Sequence, residues 1–138
     1  MSADPVDTIL SAAAAHAQTL GLRGISIAIV DTGGVLLALR RSAGMGGLTA
    51  VVCEAKAVTS NFTGMPTAQL EKVNERWPNL TDPIAARLGE RFTRYAGGQP
   101  VRDLGPIGGI GVSGGTPEQD DEIAQHALAA ARSAAAAG

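Results

Sequence analysis

The chain has 138 residues, 45% of them hydrophobic, 3% aromatic and 17% charged, with a formal charge of −2. That size and apolar content suit one folded domain spanning 1–138 and exclude global disorder. Near-neutral charge and four aromatic residues (Phe62, Trp77, Phe92 and Tyr95) leave neither a basic patch nor base-stacking platforms, so nucleic acid is not an expected partner.

Residues 4–20 read as a helix, with Asp4 as cap, Pro5 in the first helical position and Gly21 as stop. "GISIAIVD" (24–31) is β-branched and reads as a strand. "TGG" turns the chain and "VLLALRR" (35–41) returns it as a hairpin. After the Gly-rich 42–47, Leu48, Val51, Ala55, Val58 and Phe62 fall at helical spacing, which predicts an amphipathic helix over 48–62 with that stripe inward. "GMP" (64–66) breaks it. A second helix follows from Thr67 to Arg76, then a loop over 77–83 and a short helical piece to Leu88. "ERFTRYA" (90–96) and "QPVRD" (99–103) read as two strands about a Gly97–Gly98 turn, and "IGGIGVS" (107–113) as a fifth strand. A final helix starts at Thr116. Helices and tight hairpins in this order predict an α+β domain, with a mostly antiparallel five-stranded sheet flanked by helices.

The corner "GVSGGTPEQDDEIAQHAL" (111–128) puts glycines just before a helix, where many proteins hold phosphate. The residues oppose that use. Thr116 caps the helix, Pro117 removes one N–H, and Glu118, Asp120, Asp121 and Glu122 repel anions while complementing the helix dipole. No lysine follows the glycines as in a phosphate loop. Gln119 stands three residues after Thr116 and completes a capping box. Gly114 and Gly115 then serve the close approach of something uncharged.

No run is long enough to span a bilayer and the first ten residues do not form a secretory leader, so the expected location is cytoplasmic, with no membrane partner. The lone Cys53 excludes an intrachain disulfide and reads as a buried thiol, and no His/Cys/Asp/Glu spacing predicts a structural metal site.

"SIAIVDTGGVLLALRR" (26–41), "EAKAVTSNFTGMPTAQL" (54–70), "GGQPVRD" (97–103) and "IGVSGGTPEQDDEIAQHAL" (110–128), in this order, resemble the GlcG/HbpS family of small haem-binding-type proteins, and the C-terminal domain of some corrinoid adenosyltransferases. The resemblance implies a profilin-like fold and homo-oligomers built from dimers. It implies haem or a related ligand for some members, and an association with small organic-acid catabolism for others. This chain departs from the family pattern at Val35, where a histidine is usual, and at Ser42-Ala43-Gly44, where Met-Asp-Gly is usual.

Three functions follow. The leading one is a homo-oligomeric binder of haem or another small anionic organic molecule. Lys56, which matches a family lysine, and Arg40, Arg41 and Arg102 would supply cations for carboxylates. Met45 and Met65 would line the site, and Gly114 and Gly115 would flank it. Solvation for Lys56 and a cross-sheet salt bridge for Arg102 are the structural alternatives. His16 and His126 are isolated on the terminal helices, each with a surface or packing role as readily as an iron-binding one. The second function is an isomerase, hydratase or tautomerase on an unsaturated acid, with Lys56, Glu118 or Asp31 moving protons. Turn-capping is the structural reading of Asp31, and dipole compensation that of Glu118. The third is an assembly role in which glycine-rich faces make subunit contacts.

Overall fold

The computed structural model describes residues 4–138. Helix α1 (Pro5–Thr19) precedes strands β1 (Ser26–Asp31) and β2 (Leu36–Arg41). Helices α2 (Gly47–Thr63), α3 (Thr67–Arg76) and α4 (Asp82–Leu88) follow, then a 3₁₀ turn over Gly89–Arg91. Strands β3 (Gly98–Pro100) and β4 (Ile107–Ser113) and helix α5 (Pro117–Ala137) complete the chain. The strands form one antiparallel sheet in the order β2-β1-β4-β3. A bulge at Leu37 shifts the β1–β2 register between Ile29↔Ala38 and Val30↔Leu36. This is an α+β architecture with α1 and α5 on one face of the sheet and α2 on the other.

Alternation along the central strands sorts the core. Ile27 and Ile29 of β1, with Ile110 and Val112 of β4, pack on Ile9, Ala13 and Ala17 of α1 and on Ile123, Ala127 and Leu128 of α5. Each fully buried isoleucine or leucine contributes roughly 1.5–3 kcal/mol. Ala28 and Val30 point the other way, onto Cys53, Ala57 and Val58 of α2. On that side β4 presents glycines. A Cβ at Gly109 would stand 2.6 Å from the Ala57 carbonyl oxygen, and one at Gly111 2.6 Å from the Ala57 nitrogen. Helix α2 therefore rests backbone-to-backbone on β4. Both terminal helices start as their residues dictate. The Asp4 side chain accepts from Val6 N–H, and Thr116 and Gln119 form a reciprocal capping box.

The sheet has four strands, not five. Residues 90–96 do not form the expected strand because their backbone is satisfied by a side chain of α2. Thr59 Oγ1 donates to Arg91 O at 3.0 Å and accepts from Thr93 N–H at 3.1 Å. The strand expected over 99–103 is only Gly98–Pro100, so Gly98 lies in a strand rather than a turn. The stripe expected to bury α2 is also divided. Ala55 and Val58 are buried, whereas Leu48 (75%), Val51 (59%) and Phe62 (52%) are exposed. The sheet takes the Cys53–Ala57 side instead, because glycines opposite accept a small-residue helix face at close range.

Gly111→Ala should cost about 1–3 kcal/mol, the usual range for overpacking, and lower Tm by several degrees in a thermal melt. Gly47→Ala, where an added Cβ meets nothing within 4 Å inside a helix, should be neutral or raise stability by up to about 1 kcal/mol.

Candidate functional site

The corner of β4 and α5 is built around a buried ion pair. Lys56, 2% exposed, extends from α2 past Gly97 and donates to Val112 O at 2.7 Å and to Asp120 Oδ2 at 3.0 Å. Asp120 is also buried, and its other oxygen accepts from Gly115 N–H at 2.8 Å. One carboxylate thus ties together α2, the glycine corner and the first turn of α5. Burial pushes the Asp120 carboxyl above the usual carboxylate range, against the lowering effects of the Lys56 ammonium and the Gly115 N–H. The glycines of the corner receive this chain's own atoms. A Cβ on Gly114 would stand 3.0 Å from Gly24 O and from Met45 Cε, and one on Gly115 would meet the Gln119 side chain.

The other candidates lie apart. Asp31 Oδ1 accepts from Gly33 and Val35 N–H and caps the β1–β2 turn. It pairs with Ile107 at one end of β4, whereas Lys56 bonds Val112 near the other. Glu118 is exposed at the start of α5, where it borders a surface recess with Glu71, Lys72 and Asp121. Lys56, Asp31 and Glu118 therefore do not share a proton-transfer site. Arg102 clamps the end of α2 to β4, donating to Asn61 O at 2.8 Å and to Gly108 O at 2.7 Å. Met65 is half-buried just after α2. Cys53 is buried and its thiol is pushed up to about 12 by burial.

Arg40 and Arg41 occupy different ground. They end β2, an edge strand whose side chains are largely exposed, including Leu36, Leu37 and Leu39. Leu36 and Leu39 stand opposite Val30 and Ala28, which pack on α2, so both leucines share the α2 side of the sheet. Arg41 stands opposite Ser26, whose hydroxyl bonds Thr49 of α2, and is on that side too. Leu48 and Val51 continue the apolar surface along the N-terminal half of α2. Arg40 stands opposite Ile27, which packs on α1 and α5, and so belongs to the other face. The Arg41 guanidinium donates to Met45 O at the strand's end. An exposed apolar floor with one guanidinium at its end suits an amphipathic organic anion.

Two features escaped sequence reasoning. The burial of Asp120 was missed, although a signal existed: it lies three and four residues before Ile123 and Ala124, on the buried face of α5. The histidines were not legible as a pair. His16 Nε2 lies 2.6 Å from Glu122 Oε2, and its ring stacks on His126 with centroids 4.1 Å apart, joining α1 to α5. Among the described residues no group of three His, Cys, Asp or Glu side chains converges to hold a metal ion, and no helix is long and apolar enough to cross a membrane.

A family model described as haem degrading protein HbpS-like matches residues 1–129. Among solved structures, the chain is similar to a PduOC:heme complex at 30% identity, covering 94% of each chain, with a TM-score of 0.81. It is similar to a Streptomyces reticuli HbpS double mutant at 30% identity, covering 91% of this chain and 82% of that one, with a TM-score of 0.77. Klebsiella pneumoniae protein ORFY has the same fold at 24% identity, covering 93% and 88%, with a TM-score of 0.82. No curated protein matches the chain.

Lys56→Met should destabilise the protein by about 3–5 kcal/mol in urea titration, since it strands the Asp120 carboxylate in the interior. Lys56→Met combined with Asp120→Leu should recover part of that loss. Cys53 should resist iodoacetamide at pH 8 in the native protein and react fully in 6 M guanidinium, read by mass spectrometry.

Proposed function

The chain belongs to the HbpS-like family, and on that premise we propose that it is a profilin-like, single-domain cytoplasmic protein that binds haem or a similar amphipathic organic anion as a homo-oligomer. The observation that carries this reading is the edge strand β2. It exposes Leu36 and Leu39 on the α2 side of the sheet and ends in Arg40 and Arg41. The donor set fits the organic part of haem. Leu36, Leu39 and the neighbouring Leu48 and Val51 would lie against the macrocycle, and Arg41 on the same side would hold a carboxylate. Haem itself would supply iron-centred redox chemistry when bound. Lys56 and Arg102 act as positioning residues in this reading, because their donors already engage Val112, Asp120, Asn61 and Gly108. The similarity to a PduOC:heme complex supports haem as the first ligand to test.

Titration of micromolar protein with haem should give a saturable Soret change. Replacing Arg41 by alanine should weaken it about tenfold, as expected for a lost charge-assisted contact. An absent or non-saturable Soret change with the unaltered protein overturns haem as the ligand.

A further inference from the structure

The two edges of the sheet are treated differently. At β3 the strand has three residues and ends in Pro100, and Gly98 N–H is taken by Thr67 Oγ1 of α3 at 2.9 Å. At β2 the strand has six residues, and its side chains are exposed on both faces. The ladder shows which of its backbone groups are free. Ser42 N–H donates to Ile25 O, so the bonded pairs recur two residues on, at Ile27↔Arg40 and Ile29↔Ala38. The N–H and C=O groups of Leu39 and Arg41 therefore point away from β1, and the natural complement of such an edge is another strand.

We propose that β2 pairs antiparallel with β2 of a second copy of this chain about a two-fold axis at Leu39, joining two sheets into one of eight strands. This deepens the homo-oligomer proposed above and rests on it. Two constraints restrict the register, and the bulge at Leu37 disfavours centring the axis nearer to it, at Ala38, where Leu39 and Arg40 would meet the irregular Leu37 and Leu36. A two-fold axis normal to the sheet keeps the α2 side common to both copies, so outward-bonding residues meet outward-bonding residues. Centring on Leu39 sets Arg40 against Ala38 and Arg41 against Leu37 of the second copy, and no arginine faces another. A shift by two residues brings Arg40 against Arg40, a like-charge pair that destabilises a sheet. The pairing spends only backbone groups, so the α2-side leucines stay open. Leu39 of both copies then forms the middle of one apolar floor with an Arg41 toward each end, and the proposed ligand site contains residues of both subunits.

Leu39→Cys tests this directly in ligand-free protein. Opposed residues of a bonded pair have Cα atoms about 5.5 Å apart, within disulfide reach. Mild oxidation should convert the variant to a covalent dimer on a non-reducing gel, while Gln125→Cys, on α5, should stay monomeric on the same gel. Leu39→Pro removes only an outward N–H, and should halve the sedimenting mass with an unchanged far-ultraviolet circular dichroism spectrum. Absence of the Leu39→Cys dimer, equal cross-linking at Gln125→Cys, or a folded Leu39→Pro protein that keeps its sedimenting mass overturns the interface. If Leu39→Pro does not fold, the cysteine pair decides. Since these assays contain no haem, a specific cross-link without a Soret change leaves the interface standing and removes only the ligand, and the reverse result removes only the interface.

Discussion

Helix α2 meets strand β4 without a layer of side chains between them. Gly109 and Gly111 leave room for the helix backbone, and Gly98 does the same on β3, where a Cβ would collide with the Lys56 carbonyl oxygen. This approach sets the thickness of one half of the molecule. It brings Lys56 deep enough to reach Val112 O and Asp120, and it carries Thr59 to the 90–96 segment. The cost is a buried lysine, which is tolerable only because a carboxylate and a carbonyl oxygen meet it there. Close packing and the ion pair thus depend on each other.

The same arrangement divides the protein into a closed half and an open half. The β3 side is covered by α3 and α5, where Gly98 N–H donates to the Thr67 hydroxyl and the Gln99 side-chain amide donates to Asp121. The corner at Gly114 and Gly115 is filled by Gly24, Met45 and Gln119. The β2 side carries leucines and arginines into solvent, with no helix drawn over its edge. Apolar side chains on an unguarded edge strand favour association. The exposed apolar and cationic side chains therefore gather at β2, and Lys56 belongs to the framework.

Local signals made most elements legible. Asp4 and Pro5, and Thr116, Pro117 and Gln119, start α1 and α5 as their capping chemistry dictates, and "TGG" turns the β1–β2 hairpin. The 90–96 segment was misjudged because its Phe, Thr and Tyr content suits a strand, while Arg91 O and Thr93 N–H are met by a single threonine hydroxyl on α2 and Phe92 and Tyr95 N–H by local oxygens. The apolar stripe of α2 was misassigned for a related reason. Periodicity marks an apolar side, but it does not say whether that side meets the sheet or the solvent. Here small residues face the glycines, and Leu48, Val51 and Phe62 remain outside.

The candidate site divides in the same way. Sequence by itself determined the candidates: Lys56, Arg40, Arg41 and Arg102 as cations for carboxylates, a lone cysteine, and a glycine corner with a self-sufficient helix cap. It also determined the α+β class, because capping, turn chemistry and alternation act over a few residues. Tertiary structure alone decided how the cations are engaged. Lys56 and Arg102 are spent on partners 64 and 41 residues away in the chain, Asp120 and Asn61, whereas Arg40 and Arg41 lie at the exposed edge, Arg41 bonded only locally to Met45 O. Such pairings depend on how the helices cross the sheet, and no local pattern of residues encodes that distance.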